Sequence, residues 1–403
     1  MLFILPLNAA GQTQSLEHYL QVAQRNSPTL RDYQYRLASL GVDSQEIGIV
    51  YLPHLNFDAQ ASVAPVFGGI GYDSTVTNFG SYSALISVSQ TLFQGRSAEL
   101  QQAKRSLDVR STINAGTLER YDIERAVTEQ YTTAYSDLLT LQSSRALLKL
   151  ISEQAQILQT MVSRGVYPQA DYLNISITMR QQEIVSHQRA AQYTLDLYKL
   201  NSLCGITDTT HILLEAPLLE RSTAIPLSQS IFRRQFAIDS QMIDVNRSLL
   251  DREYAPKFGW FADAGILTSM PKTAYRNVGF SVGLNLSIPI YDGGRRSYEY
   301  QKFDIAQQTI GEYANFFQSE YYSKRVMLTE ALTASDSAIA EYHLQMEQVR
   351  ALIDFYKQQL AAGNLKVNDF LLAFATMNAT QAELDQAEIA RLQIINQLNY
   401  LNH

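Results

Sequence analysis

The sequence predicts a mainly α-helical chain with a membrane β-barrel part, in which long helical hairpins and pairs of strands occur twice. Three observations carry this. The chain repeats itself at a spacing of about two hundred residues; two stretches of roughly 65–70 residues contain no proline; and four segments alternate apolar with small or polar residues.

The duplication rests on landmarks that recur in order. A helix ending in proline comes first, Gly48-Ile-Val-Tyr-Leu-Pro53 and Leu250-Asp-Arg-Glu-Tyr-Ala-Pro256. A pair of strand-patterned segments follows and closes with Leu92-Phe-Gln-Gly-Arg96 or Ile290-Tyr-Asp-Gly-Gly-Arg295. The long helical stretch is then broken at Arg164-Gly165-Val-Tyr-Pro-Gln-Ala-Asp171 and Ala362-Gly363-Asn-Leu-Lys-Val-Asn-Asp369. Pro53 and Pro256 lie 203 positions apart, Gly95 and Gly293 lie 198 apart, and so do Gly165 and Gly363.

Between Gly95 and Arg164, and between Gly294 and Ala362, the only interior glycines are Gly116 and Gly311. Each stretch predicts one helix about 100 Å long at 1.5 Å per residue. Val127, Tyr131, Ala134, Leu138 and Leu141 keep coiled-coil spacing, as do Tyr342, Met346, Val349, Ile353, Tyr356 and Leu360. Return helices are expected over Gln169–Leu203 and Val367–Leu401, with Gly165 and Gly363 as C-caps. Shorter helices near Asp32–Leu52 and Phe236–Tyr254 would stack on the return helices and complete their length.

The four alternating segments hold their apolar residues at Leu55, Phe57 and Val63; Tyr82, Ile86 and Val88; Phe258, Trp260 and Ile266; and Val278, Phe280, Val282, Leu284, Leu286, Ile288 and Ile290. Each is about ten residues, the length a tilted strand needs to cross hydrocarbon. Four strands alone leave two open edges. A soluble sandwich with one wet face is the alternative.

Composition sets outer limits. Of 403 residues, 46% are hydrophobic and 18% charged, and the net charge of -7 argues against a nucleic-acid partner. Tyr is abundant at 24 copies. The single Cys204 forms no intramolecular disulfide. No apolar run reaches the ~18 residues of a membrane helix, so a membrane position requires a barrel. Residues 1–14 read as the remnant of a secretory signal, with small residues at Ala9, Ala10 and Gly11 but no basic start; a frayed hydrophobic terminus is the alternative.

Nothing supports catalysis or a cofactor. The six histidines lack metal-ligand spacing, and Gly68-Gly-Ile-Gly71 is followed by no phosphate-loop lysine. Cys204 lacks a nearby base and reads as a small buried residue at a helix end. Arg295-Arg296 opens a long helix and would meet phosphates or solvent.

With Asn26-Ser-Pro28, the proline pair, Phe93-Gln-Gly95, Tyr291-Asp-Gly-Gly294 and the two tips on the page, the sequence resembles the TolC-type outer-membrane efflux factors over about Ser15 to Leu401. The resemblance implies a homotrimer in which a twelve-stranded barrel in the outer membrane sits on a twelve-helix periplasmic barrel. Strands would occupy 53–94 and 256–292; the helical barrel 15–52, 95–204, 233–255 and 293–403; and an equatorial linker 205–232. Its implied partners are outer-membrane lipid, a periplasmic adaptor (membrane fusion) protein, and an inner-membrane pump of the resistance-nodulation-division or ABC type. The implied function is an efflux or type I secretion duct that opens at its tips. A structural or adhesive coiled-coil envelope protein is the alternative.

The resemblance also marks residues. Asp171 and Asp369 match the acids of a tip constriction, and Arg164, Gly165, Val166, Gly363, Asn364 and Leu365 form the adaptor-docking tips. A tyrosine and an arginine that hold the closed state are replaced by Leu360 and Leu365, and a second acid by Leu372. Leu360 and Leu372 are therefore candidates for an apolar seal. Six carboxylates from three chains would favour cations, whereas helix N-caps or solvated loop residues are the plainer reading of both aspartates.

Overall fold

A computed structural model describes residues 13–49, 51–65, 67–71, 73, 80–93, 96–208 and 212–403. Most of the expected signal remnant, together with Gln94, Gly95 and His211, lies outside the described residues.

The chain runs β1 (Thr13–Gln14), α1 (Leu16–Asn26), α2 (Pro28–Ile49), β2 (His54–Val63), β3 (Gly80–Phe93), α3 (Ser97–Ser163) and α4 (Gln169–Leu203). It continues with β4 (Leu213–Leu214), α5 (Ile231–Glu253), β5 (Lys257–Thr268), β6 (Val278–Ser287), α6 (Arg295–Ala361) and α7 (Val367–Leu401). The long helices α3 and α6 have 67 residues each, and the return helices α4 and α7 have 35 each. Every boundary of the second set lies 198 positions after its counterpart in the first.

The short helices begin earlier than hydrophobic spacing predicts, at Pro28 and Ile231. Side-chain chemistry sets both starts. Ser27 Oγ accepts from the Leu30 N–H at 3.3 Å, and Ser230 Oγ accepts from the Phe232 N–H at 3.3 Å. Pro28 occupies the first helical position, where no N–H is needed. In the Asn26-Ser-Pro28 motif, Asn26 Nδ2 donates to the Cys204 carbonyl at 3.0 Å, which ties the α1–α2 break to the end of α4. Cys204 is buried there, and burial pushes its thiol up to about 12.

The residues form two compact units. One comprises 13–32, 115–233 and 315–403. Its core is coiled-coil packing: Val127, Tyr131, Ala134, Leu138 and Leu141 are all buried, with Tyr193, Leu197 and Leu200 of α4 and Tyr19 of α1 against them. Leu147, Ile151 and Leu158 of α3 meet Ile175 of α4, Val349, Ile353 and Leu360 of α6, and Phe370 and Phe374 of α7. Full burial of such a side chain stabilises by about 1.5–3 kcal/mol. The two-residue strands β1 and β4 pair in parallel, and Tyr131 Oη lies 2.9 Å from the Gln14 carbonyl and 2.8 Å from that of Glu215.

The other unit comprises 33–114 and 234–314. It holds one antiparallel sheet in the order β2-β3-β5-β6. Register aligns the apolar positions into continuous rows. Leu55 pairs with Val88, Val88 with Ala262, and Ala262 with Val282. The next row is Phe57, Ile86, Ala264 and Phe280. The opposite face carries the row Asn56, Ser87, Asp263 and Ser281, where Ser281 Oγ donates to Asp263 at 2.7 Å. The rows are exposed at the outer strands, where Phe57 is 69% and Phe280 84% accessible, while Val88 and Ala262 of the inner strands are half-buried. β6 ends at Ser287, short of the alternation that runs to Ile290, because Pro289 has no N–H for a ladder.

Candidate channel tip

Both hairpins close with the same backbone device. Gly165 and Gly363 adopt φ of 76° and 78°, the left-handed region open to glycine. The Gly165 N–H reaches the Val162 carbonyl at 2.9 Å, and the Val166 N–H reaches that of Met161 at 3.0 Å. In the second tip Gly363 bonds Leu360 at 3.2 Å and Asn364 bonds Gln359 at 3.0 Å. This Schellman pattern satisfies carbonyls that a helix end leaves orphaned.

The return helices start at the next residues, with Pro168 and Lys366 at their N-cap positions. Asp171 and Asp369 thus stand in the first turn, not at the cap, where their charge complements the helix dipole. Their N–H groups bond Pro168 and Lys366 carbonyls at 3.1 and 3.0 Å. Neither carboxylate takes a side-chain hydrogen bond or ion pair among the described residues. Asp369 is exposed and Asp171 half-buried.

The two candidate seal residues part company. Leu360 is fully buried in the hairpins' own core, whereas Leu372 is 70% exposed. Of the docking residues, Arg164, Gly165, Val166 and Asn364 are exposed, and Leu365 and Gly363 are partly covered.

The residue that joins the tips is Tyr167, which pattern reading passed over. Its ring is buried in the core below the tips. Its hydroxyl donates to the Leu365 carbonyl at 2.9 Å, lies 3.5 Å from that of Leu360, and accepts from the Leu365 N–H at 3.4 Å. These are the two positions where the resemblance marks the lost tyrosine and arginine. Val166 packs beside it against Gly363, where a Cβ would lie 2.8 Å from Val166 Cγ1. The one sequence clue was an aromatic residue set between a C-cap glycine and a proline, Gly165-Val-Tyr-Pro168.

No family model and no curated protein matches the chain. Solved structures do. The outer membrane protein VceC of Vibrio cholerae superposes with a TM-score of 0.76 over 96% of each chain at 13% identity. CusC, described by its transmembrane channel formation, gives 0.75 over 100% of this chain and 95% of its own at 12% identity. The open state of the outer membrane channel MtrE of Neisseria gonorrhoeae gives 0.75, covering 96% of this chain and 88% of its own at 13% identity. The likeness spans both repeats and both tips, and the chain has the fold of these outer-membrane channels, the TolC-type fold that its duplicated sequence resembles.

Proposed function

We propose that the chain is one protomer of a trimeric outer-membrane export duct that serves a tripartite efflux pump or type I secretion system. The observation that carries this reading is the sheet. It bears a continuous apolar face, exposed most strongly along β2 and β6, and among the described residues no strand pairs with the outer edge of β2 or of β6. Three copies joined edge to edge would pair every strand and give twelve, with the apolar rows turned towards lipid. In this reading 53–94 and 256–292 form the barrel in the outer membrane, and 15–52, 95–204, 233–255 and 293–403 form the periplasmic helical barrel, with 205–232 as its equatorial linker.

The tips form the periplasmic entrance, where Asp171 and Asp369 of three chains place six carboxylates near one axis and favour cations. Tyr167 holds the two hairpins of each protomer together in the resting state, and its release accompanies opening. Arg164, Gly165, Val166, Gly363, Asn364 and Leu365 meet the adaptor protein. A cleft of about 640 Å³ in the helical unit, with Lys149, Glu153, Arg350 and Lys357 on its walls, gives adaptor helices a charged seat.

Single-particle imaging of detergent-extracted protein from outer-membrane fractions tests the proposal. The expected particle is a threefold hollow tube with a detergent belt around the strands. A solid monomer that stays dispersed without detergent would replace the duct with a structural coiled-coil envelope protein.

A further inference from the structure

The sheet-bearing unit contains a cleft of about 410 Å³ that the duct function does not use. Its walls come from the places where strands hand over to helices. Ile47 lies in the last turn of α2, Ser97 is the first residue of α3, Arg252 lies in the last turn of α5, and Lys257 is the first residue of β5. Ser97, Gln101, Lys104 and Arg105 share one face of α3.

Four cations line this space: Lys104, Arg105, Arg252 and Lys257. Arg105 is balanced by Asp43 at 3.6 Å and Asp108 at 3.4 Å. Among the described residues no ion pair joins Lys104, Arg252 or Lys257 to a carboxylate, and Glu253 is the one acid on the wall. All three cations are half-buried. Arg252 Nε is fully covered yet has no hydrogen-bond partner. Buried donors are paired as a rule, and three like charges converging beside the single acid Glu253 favour a further counter-ion. The first turn of α3 adds N–H groups and the positive end of a 67-residue helix.

We propose that this cleft binds the phosphate group of an acidic glycerophospholipid. A phosphate offers several oxygens to Arg and Lys donors at once, and the Ile47 and Leu249 side chains give the glycerol and first acyl carbons an apolar wall. The choice of a lipid rests on the outer-membrane reading: where the apolar strand rows meet hydrocarbon, the strand–helix joins stand at headgroup level.

The test uses the full chain purified in mild detergent, with short-chain phosphatidylglycerol, phosphatidylcholine and inorganic phosphate as probes, and bound lipid read by native mass spectrometry. Wild type is expected to retain phosphatidylglycerol in preference to phosphatidylcholine. The triple variant Lys104→Gln, Arg252→Gln, Lys257→Gln should bind it about tenfold more weakly. Lys257→Gln alone, which leaves Arg252 in place, should weaken it by a smaller factor and guards against misfolding of the triple variant. Equal retention by wild type and both variants overturns the proposal, and so does inorganic phosphate that binds as tightly as the lipid. Detergent dependence of the same samples separates the two readings. Protein that needs no detergent has lost the membrane assignment, whereas detergent-dependent protein with charge-independent lipid retention has lost only the lipid seat.

Discussion

The two hairpins of this chain have the same lengths and the same tip backbone, yet they differ where their side chains meet. Tyr167 and Leu365 are equivalent positions, 198 apart, and the tyrosine of the first tip bonds the backbone of its own counterpart in the second. Gly165 faces open space, whereas Gly363 is filled by Val166. Asp137 and Asp196, which pair within the first hairpin, correspond to Ser335 and Ile394 in the second. The two repeats thus share a scaffold, while Tyr167 and Val166 of the first tip reach across to the backbone of the second.

The sharpest way to break this asymmetry is to add one methyl group to each tip. Gly165→Ala meets only the left-handed φ, a cost of about 1–2 kcal/mol. Gly363→Ala meets the same φ plus the Val166 side chain, and overpacking raises the loss to about 2–4 kcal/mol. Hydrogen exchange at the tip amides should show the difference. Equal losses at the two glycines would mean that the tips do not pack on one another as described.

Tyr167→Phe removes the hydroxyl and keeps the ring. The expected loss is about 1 kcal/mol of tip stability, seen as a higher resting conductance in planar bilayers. Leu365→Ala, which leaves the backbone partners in place, should change conductance less. If the two variants conduct alike, the hydroxyl does not hold the tips.

The third comparison is with pH. Burial, then its hydrogen bond with Asp196 and the charge of that residue, push the Asp137 carboxyl up to about 7 against the opposing effect of Arg189 and Lys199. Burial works against ionised Asp196 as well, but hydrogen bonds from Asp137, Lys199 and Gln192 hold it below the usual carboxylate value. Lys199 Nζ lies 2.7 Å from Asp196 Oδ1. For Asp137 the folded chain favours the protonated acid. Its contribution is therefore full below the ordinary value of 3.8 and is lost as pH rises towards about 7. Denaturation midpoints of wild type should fall across that range, and Asp137→Asn should flatten the trend. A slope that survives the substitution would assign the response to other acids.

The smallest effect concerns charge at the two tips. Asp369→Asn, at the exposed position, should reduce the cation-to-anion permeability ratio about twofold, and Asp171→Asn, half-buried, should reduce it less. Reversal potentials in a salt gradient decide. Unchanged values in both would leave the aspartates as first-turn charges that serve their helices only.

The helical scaffold was legible in the sequence because its signals are local. Gly165 and Gly363 end the long helices, and the return helices fall at Gln169–Leu203 and Val367–Leu401 as hydrophobic spacing and the breaks predict. The strand alternation was equally readable, although Pro289 shortens the last strand. What escaped depends on residues far apart in the chain. Tyr167 and Leu365 meet only after two hairpins pack, and Asp137 and Asp196 look like ordinary polar positions in a heptad until burial brings them together. The pairing of β3 with β5 likewise joins segments separated by α3, α4 and α5. The basic cleft has the same character, since Lys104, Arg252 and Lys257 are unremarkable singly and become a site by convergence.

The alternation of the strands has one more consequence. No helix among the described residues is long and apolar enough to cross a membrane, and within the strands apolar residues mostly alternate with small or polar ones, Leu85, Phe261 and Leu267 being exceptions. Each extended strand therefore carries only a narrow apolar stripe. A continuous face arises when β2, β3, β5 and β6 lock into register, and a slip of one residue would scatter it over both faces. The continuous apolar face is, in this molecule, a property of hydrogen-bond pairing rather than of composition.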